Sequence, residues 1–185
     1  MPAEPSVEGF RRLGEEQVFE SRVFRVVQAR YADPDGEELE RDVVRHPGAV
    51  AVVPLHGDGT ATLVRQVRVA VGEALLELPA GTRDVEGEPP EATARRELEE
   101  EAGLRAGRME PLIAVYNSPG FCDQRTTIFL ATDLTPCATA PAGAEERWMS
   151  VAQVRLADVE RLVADGRLVD ETTVLGLLLA RAAVG

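Results

Sequence analysis

Glu97, Glu99, Glu100 and Glu101 crowd the end of one short segment. The residues around them, from Pro89 to Gly103, have the marks of a helix. Pro89 and Pro90 suit a first helical turn, where a missing N–H does no harm. Gly103 suits the left-handed stop after the last turn. At about 100° per residue, Thr93, Glu97, Glu100 and Glu101 share one face. Ala94, Leu98 and Ala102 form the neighbouring apolar stripe, and Glu99 points toward solvent. A helix C-terminus carries partial negative charge, so each carboxylate there is disfavoured by roughly 0.3–1 kcal/mol. Glu97 also repels Glu100 at i,i+3 and Glu101 at i,i+4. A cation between them converts that repulsion into ligation, and an all-oxygen donor set favours Mg²⁺ or Mn²⁺. The competing reading of a bare Glu-Glu-Glu run is a solvated acidic face.

The elements that must hold this helix follow from the flanking sequence. Ala49 to Leu55 is a continuous apolar run, consistent with a buried strand. His56-Gly57-Asp58-Gly59 is a turn and Thr60 to Val67 its partner strand. Leu75 to Leu78 leads into Pro79-Ala80-Gly81. After the helix, Glu110 to Tyr116 and Thr126 to Thr132 are expected as strands, with Trp148 and Met149 closing the sheet. Ser150 is expected to cap a helix within Val151 to Ala164, and Asp170 a last helix through Ala183. Upstream, residues 1–16 are polar and expected to be loosely ordered. Val18 to Tyr31, the turn Asp33-Pro34-Asp35-Gly36 and Glu38 to Arg45 predict a hairpin-like unit with little core of its own. Strands interleaved with helices place the chain in the α/β class with a mixed sheet. The expected division is a small unit at 1–45 and a larger domain at 46–185.

Composition narrows the partners. The net charge of −12 disfavours nucleic acid and anionic membranes. It also repels free nucleotides, so a phosphate substrate needs a metal and local arginines. Hydrophobic residues make up 44% of the chain, enough for a real core. No apolar run near Met1 suggests a signal peptide, and Leu175 to Val184 is too short to span a bilayer. Cys122 and Cys137 are the two cysteines, expected to be reduced in a cytoplasmic protein. His46 and His56 lack metal-ligand spacing and are expected to play no part.

The segment from Gly81 to Leu104 resembles the box of the Nudix hydrolases. In that pattern a Gly is followed after five residues by Glu, and after seven more by Arg-Glu, an aliphatic, any residue, Glu-Glu, any residue, Gly and an aliphatic. Glu88, Arg96-Glu97, Leu98, Glu100-Glu101 and Gly103-Leu104 match in full. Six residues rather than five separate Gly81 from Glu88, one extra in the loop. The resemblance implies an α/β/α sandwich and hydrolysis of a nucleoside diphosphate derivative with a divalent metal, Mg²⁺ or Mn²⁺.

Further motifs resemble the ADP-ribose pyrophosphatase subfamily, particularly its actinobacterial members. These are Gln66-Val67-Arg68, Leu76-Glu77-Leu78-Pro79-Ala80-Gly81, and Pro119, fifteen residues past Leu104. By this likeness the products are AMP and ribose 5-phosphate; other ADP-sugars or nucleoside diphosphate sugars are the alternative. A module that senses nucleotide without cleaving it is disfavoured, because all the box carboxylates are present. The resemblance implies Glu97 and Glu101 as primary metal ligands, with Glu100 close behind and the Ala80 carbonyl as a further ligand. Arg96 would orient Glu97. Arg68 would meet phosphate, Glu77 the terminal ribose, and Pro119 would mark the substrate class. The general base is expected on a loop after the box, at Glu145 or Glu146, with Glu100 or another box carboxylate as fallback. The resemblance also implies a homodimer formed through the N-terminal strands. Phe10, Phe24 and Tyr31 are open between adenine stacking and core or dimer contact.

Overall fold

The computed structural model describes residues 8–139 and 148–184. Two compact units emerge, one running to Gly48 and including Tyr116–Arg125, the other formed by Ala49–Val115 and the chain from Thr126 onward.

The first unit is an antiparallel meander of β1 (Arg11–Glu20), β2 (Arg25–Ala32) and β3 (Glu38–Arg45), in that order. The expected single strand Val18–Tyr31 is in fact broken. Ser21 Oγ accepts the N–H groups of Val23 and Phe24 at 3.3 and 3.0 Å, and Ser21 N–H donates to the Phe24 carbonyl at 2.8 Å. A serine hydroxyl that satisfies its neighbours' backbone makes a turn inside an otherwise strand-like run. The expectation of a loose start also fails from Arg11 onward. β1 is polar because it pairs through its backbone while most of its side chains stay near solvent. The next turn forms as read: Asp33 Oδ1 accepts from Asp35 N–H at 3.0 Å and Glu37 N–H at 2.9 Å.

The segment 116–125 fastens onto β3 of this unit. Val44 N–H donates to the Phe121 carbonyl at 2.7 Å, and Asp123 N–H to the Val44 carbonyl at 3.1 Å. Arg45 lies between two carboxylates, with Nη2 on Glu15 at 2.7 Å and Nη1 on Asp123 at 3.1 Å. Asp123 also accepts the His46 N–H at 2.8 Å, and His46 Nδ1 accepts the Gly48 N–H at 3.0 Å. His46 is thereby a structural residue. Burial pushes its imidazole below the ordinary pKa despite the Asp123 charge.

The second unit is built on a four-stranded mixed sheet, β7 (Ala80–Thr82), β4 (Ala49–Pro54), β9 (Arg125–Pro136) and β8 (Leu104–Tyr116). β4 and β9 are parallel, with Ala49 opposite Thr126, and β7 is antiparallel to β4. Alternation along the strands supplies two cores. Val50 and Val52 of β4 join Phe129 and Ala131 of β9 against Ala94, Leu98 and Ala102 of α1 (Pro90–Ala102). Ala51 and Val53 join Ile128 and Leu130 against Leu177 and Ala180 of α3 (Glu171–Val184) and Val159 and Leu162 of α2 (Val159–Ala164). Helices thus cover both faces of the sheet, as in the expected α/β/α sandwich. A second sheet, in the order β10 (Ser150–Arg155), β5 (Thr60–Arg68), β6 (Glu73–Glu77), is antiparallel.

Ser150 does not cap a helix. Residues 150–155 pair with β5, Ser150 opposite Arg65 and Arg155 opposite Thr60, and the helix begins only at Val159 after one 3₁₀ turn. Val151 and Val154 suit a strand, and the open edge of β5 claims the segment. Trp148 is 85% exposed and does not close the sheet. β8 starts six residues earlier than expected, directly after the helix stop. Asp170 caps α3 as read, accepting the Thr173 N–H at 2.8 Å. Among the described residues no helix is long and apolar enough to cross a membrane.

Candidate active site

The acidic helix forms as its spacing predicts. Gly103 sits at φ 62°, ψ 36°, and its N–H turns back to the Glu99 and Leu98 carbonyls. The last turn holds no basic residue. One of the four glutamates is relieved from outside: Arg105 donates to both Glu99 oxygens at 3.0 and 2.9 Å, which holds that carboxyl below its usual pKa. Glu97, Glu100 and Glu101 remain on the other face.

Glu97 is 8% exposed, a costly location for a carboxylate. Its terminal carboxyl atoms lie against Gly81. A Cβ on Gly81 would fall within 3.0 Å of all three of those atoms. Glycine here makes a cradle that any side chain would fill, and β7 thereby brings the loop onto the helix face. Arg96 Nη1 donates to Glu97 at 2.7 Å and to Glu100 at 3.4 Å, while Nη2 lies 3.6 Å from both Asp84 and Glu88. One guanidinium therefore faces four carboxylates. Burial lowers its pKa and the charges of Glu97, Glu100, Glu88 and Asp84 more than reverse that. Its Nε and Nη2 are buried without a hydrogen-bond partner, so the hold on Asp84 and Glu88 is Coulombic. The cluster keeps an excess of negative charge that a cation would balance.

Glu101 reaches the loop directly, its Oε2 accepting the Ala80 N–H at 2.9 Å. Glu88 accepts the hydroxyl of the fully buried Thr93 at 2.7 Å, and its own carbonyl accepts from Arg83 at 3.2 Å. The motif's first glutamate thus pins the extra-residue loop to the helix start. Among the described residues no three His, Cys, Asp or Glu side chains converge into a ready-made metal cluster. Glu97 turns to Arg96 and Glu101 to the Ala80 N–H. Their chemistry nonetheless fits a hard divalent ion: hard anionic oxygens on one helix face, an uncompensated charge and a glycine cradle.

Arg68 and Glu77 meet each other. Arg68 Nε donates to the two Glu77 oxygens at 2.9 and 3.0 Å, and Gln66 Nε2 donates to Glu77 at 3.1 Å. The Glu77 hydrogen bonds raise the Arg68 pKa; burial opposes this, and the charges of Glu77, Asp170 and Glu101 add to the rise. Glu77 is buried while Arg68 is 44% exposed, so the carboxylate orients an arginine that still faces outward. Pro119 belongs to the other unit, in a turn where the Ser118 carbonyl accepts from Phe121 and Cys122 at 3.1 and 2.9 Å. Glu145 and Glu146 lie outside the described residues. His56 Nε2 is hydrogen-bonded to the buried Thr62 hydroxyl at 2.7 Å, a structural role. Sequence reasoning assigned no role to Asp84 beside Arg96, and named Gln66 only as part of a motif, without its place beneath Glu77. The buried carboxamide stands two residues from Arg68 on the same face of β5, the spacing the motif already carries.

Residues 45–168 match the NUDIX domain. The chain belongs to the Nudix family. It is 36% identical to the ADP-ribose pyrophosphatase of Mycobacterium tuberculosis over 173 residues, spanning 94% of this chain and 84% of that protein. It is 35% identical to the ADP-ribose pyrophosphatase of Bacillus subtilis over 163 residues, 88% of each. It is also 33% identical to the methanol dehydrogenase activator of Bacillus methanolicus over 162 residues, 88% of this chain and 87% of that one. A solved structure described as an ADP compounds hydrolase superposes with a TM-score of 0.83 at 25% identity, covering 98% of this chain and 97% of the other. The likeness bears out the expected α/β class, a mixed sheet with its helices.

Proposed function

We propose that this Nudix enzyme hydrolyses the diphosphate bond of ADP-ribose, adding water across it to give AMP and ribose 5-phosphate. The observation that carries the reading is the carboxylate cluster around Arg96, with Glu97 lodged in the Gly81 cradle, in a chain so similar to two ADP-ribose pyrophosphatases. Glu97 and Glu101 would hold the divalent metal, Mg²⁺ or Mn²⁺, with Glu100 and the Ala80 carbonyl beside them. When bound, the metal supplies charge to neutralise diphosphate oxygens and to lower the pKa of water. Arg96 is the positioning residue for Glu97, through a charge-assisted hydrogen bond. Arg68, braced by Glu77 and Gln66, presents positive charge to a phosphate, which leaves Glu77 a bracing role rather than a direct hold on ribose. Glu145 or Glu146 accepts the proton of the attacking water, with Glu100 as fallback. Pro119 shapes the turn that marks the substrate class.

Two copies pair through the N-terminal strands. Exposed Val18, Phe19, Val23 and Phe24 around the β1–β2 turn support this, with the Phe19 and Phe24 rings 6.2 Å apart. The free thiols of Cys122 and Cys137 are consistent with the cytoplasm. The test is a panel of ADP-ribose, other ADP-sugars and GDP- and UDP-sugars, scored by kcat/KM with and without Mg²⁺. ADP-ribose should lead, with AMP as product and activity lost to a chelator. A preference for another sugar nucleotide would move the assignment to that substrate.

A further inference from the structure

The loop that receives Glu101 is tied at its other end to the C-terminal helix. Thr173 is fully buried at the first turn of α3. Its hydroxyl donates to Asp170 Oδ2 at 2.7 Å and accepts the Leu78 N–H at 2.9 Å. Asp170 Oδ2 also accepts the Thr173 N–H at 2.8 Å. A threonine hydroxyl has one proton, and Asp170 takes it. The oxygen lone pairs are thereby turned toward Leu78, whose side chain is itself buried. Two residues on, Ala80 N–H holds Glu101 at 2.9 Å, and between them the Pro79 carbonyl accepts from Val52 N–H at 2.9 Å. Three consecutive residues, Leu78, Pro79 and Ala80, are thus each fixed by one hydrogen bond to a different element: α3, β4 and α1.

The bond from Thr173 to Leu78 has a local cause. A helix cap at Asp170 alone needs no contact with Leu78, and neighbouring backbone N–H groups in a sheet are ordinarily met by another strand. Here β6 ends at Glu77 and β7 begins at Ala80, so Leu78 lies in the gap between strands. A side chain 95 residues away fills the vacancy.

We infer that the Asp170–Thr173 pair is a positioning device for the metal site: it sets the Leu78–Ala80 segment, and through the Ala80 N–H the direction of the Glu101 carboxylate. The inference rests on the proposed role of Glu101 as a metal ligand. Neither residue is in the box.

Thr173→Val keeps the shape and removes the hydroxyl; Thr173→Ser keeps the hydroxyl. Asp170→Asn replaces one acceptor oxygen by a donor, and serves if Thr173→Val fails to fold. Three readings are taken on the full chain: amide hydrogen exchange at Leu78 and Ala80 without metal, Mn²⁺ affinity by electron paramagnetic resonance, and ADP-ribose kcat and KM. Thr173→Val, or Asp170→Asn in its place, should speed exchange at both amides beyond that of other core amides. It should weaken Mn²⁺ binding about tenfold, while Thr173→Ser stays within about twofold of wild type. Thr173→Val should lower kcat rather than raise KM, and Asp170→Asn, whose lost charge also acts on Arg68, is read by exchange and Mn²⁺ alone. Unchanged Ala80 exchange, or Mn²⁺ affinity within about twofold of wild type, would overturn the inference. So would a loss in which all core amides speed up together. Exchange and Mn²⁺ binding need no substrate, so a failed substrate assignment leaves them readable. If wild type itself binds no Mn²⁺, the Glu101 assignment falls and the inference with it.

Discussion

Gly81→Ala tests the cradle under Glu97. No left-handed backbone is demanded at this position, so alanine meets no backbone penalty there. The obstacle is the Glu97 carboxylate alone. The new methyl would start 2.6 Å from Glu97 Oε2 and nearer still to the other carboxyl atoms, whereas ordinary contact begins at 3.4 Å. Oε2 must therefore retreat by about 0.8 Å, the difference between those two distances, and the carboxyl carbon by more. Glu97 can swing because its carboxylate ends a flexible chain. The swing stretches or breaks its 2.7 Å bond to Arg96. A hydrogen bond between charged groups is worth about 1.5–3 kcal/mol. Arg96 is one-third exposed, so water recovers part of this and the stability cost should stay near 1 kcal/mol. That is a fall of roughly 2–4 °C in melting temperature for a chain of this size. Activity should suffer far more, since a misplacement near 1 Å costs on the order of a hundredfold. Calorimetry with kcat at saturating Mg²⁺ separates the two. A variant that retains kcat within about threefold refutes the cradle, because Glu97 would then not need its place.

Other perturbations read other parts of the site. Glu101→Gln keeps an oxygen for the Ala80 N–H but loses the charge. Turnover should fall about a hundredfold or more with melting unchanged, and retained hydrolysis would remove Glu101 from the site. Arg68→Met leaves the Glu77 carboxylate, 5% exposed, with Gln66 alone. Breaking a buried pair costs about 3–5 kcal/mol, but a half-exposed arginine lowers this to roughly 1–2 in urea unfolding. Adding Glu77→Gln should restore most of the loss, and a single variant as stable as wild type would show the pair to be idle. Burial raises the Glu15 pKa, but the hydrogen bonds and charges of Arg45 and Arg12 together hold it below 4.5. A depressed carboxyl contributes stability above its unfolded pKa and loses it as pH falls through the folded value. Thermal melts should therefore weaken below about pH 4.5, and less steeply in Glu15→Gln; parallel profiles would exclude Glu15 as the cause.

The helix and its acidic face were legible because they depend on local rules. Prolines, the periodic apolar stripe and Gly103 specify start, register and stop within fourteen residues, Pro90 to Gly103. The Gly81–Glu97 contact was not legible, since glycine as turn former and glycine as cradle look alike in sequence. Where the reading failed, a long-range or side-chain partner had overridden local pattern. Ser150–Arg155 has composition suited to either element, and only the free edge of β5 decides for strand. The Ser21 turn hides in a strand-like run because one hydroxyl satisfies two amides. Arg68 and Glu77 were marked individually, yet their mutual bond depends on the β5–β6 register, in which Val64 faces Glu77 and Arg68 faces Glu73.

The insertion of Tyr116–Arg125 between β8 and β9 has a consequence for biosynthesis. When Arg45 is added to the growing chain, Asp123 is still 78 residues from being made. The amino-terminal meander therefore waits, with the outer edge of β3 unpaired, until most of the chain has been translated. A cassette of the meander alone would leave behind the partners of Val44 and Arg45, which are encoded in the middle of another unit.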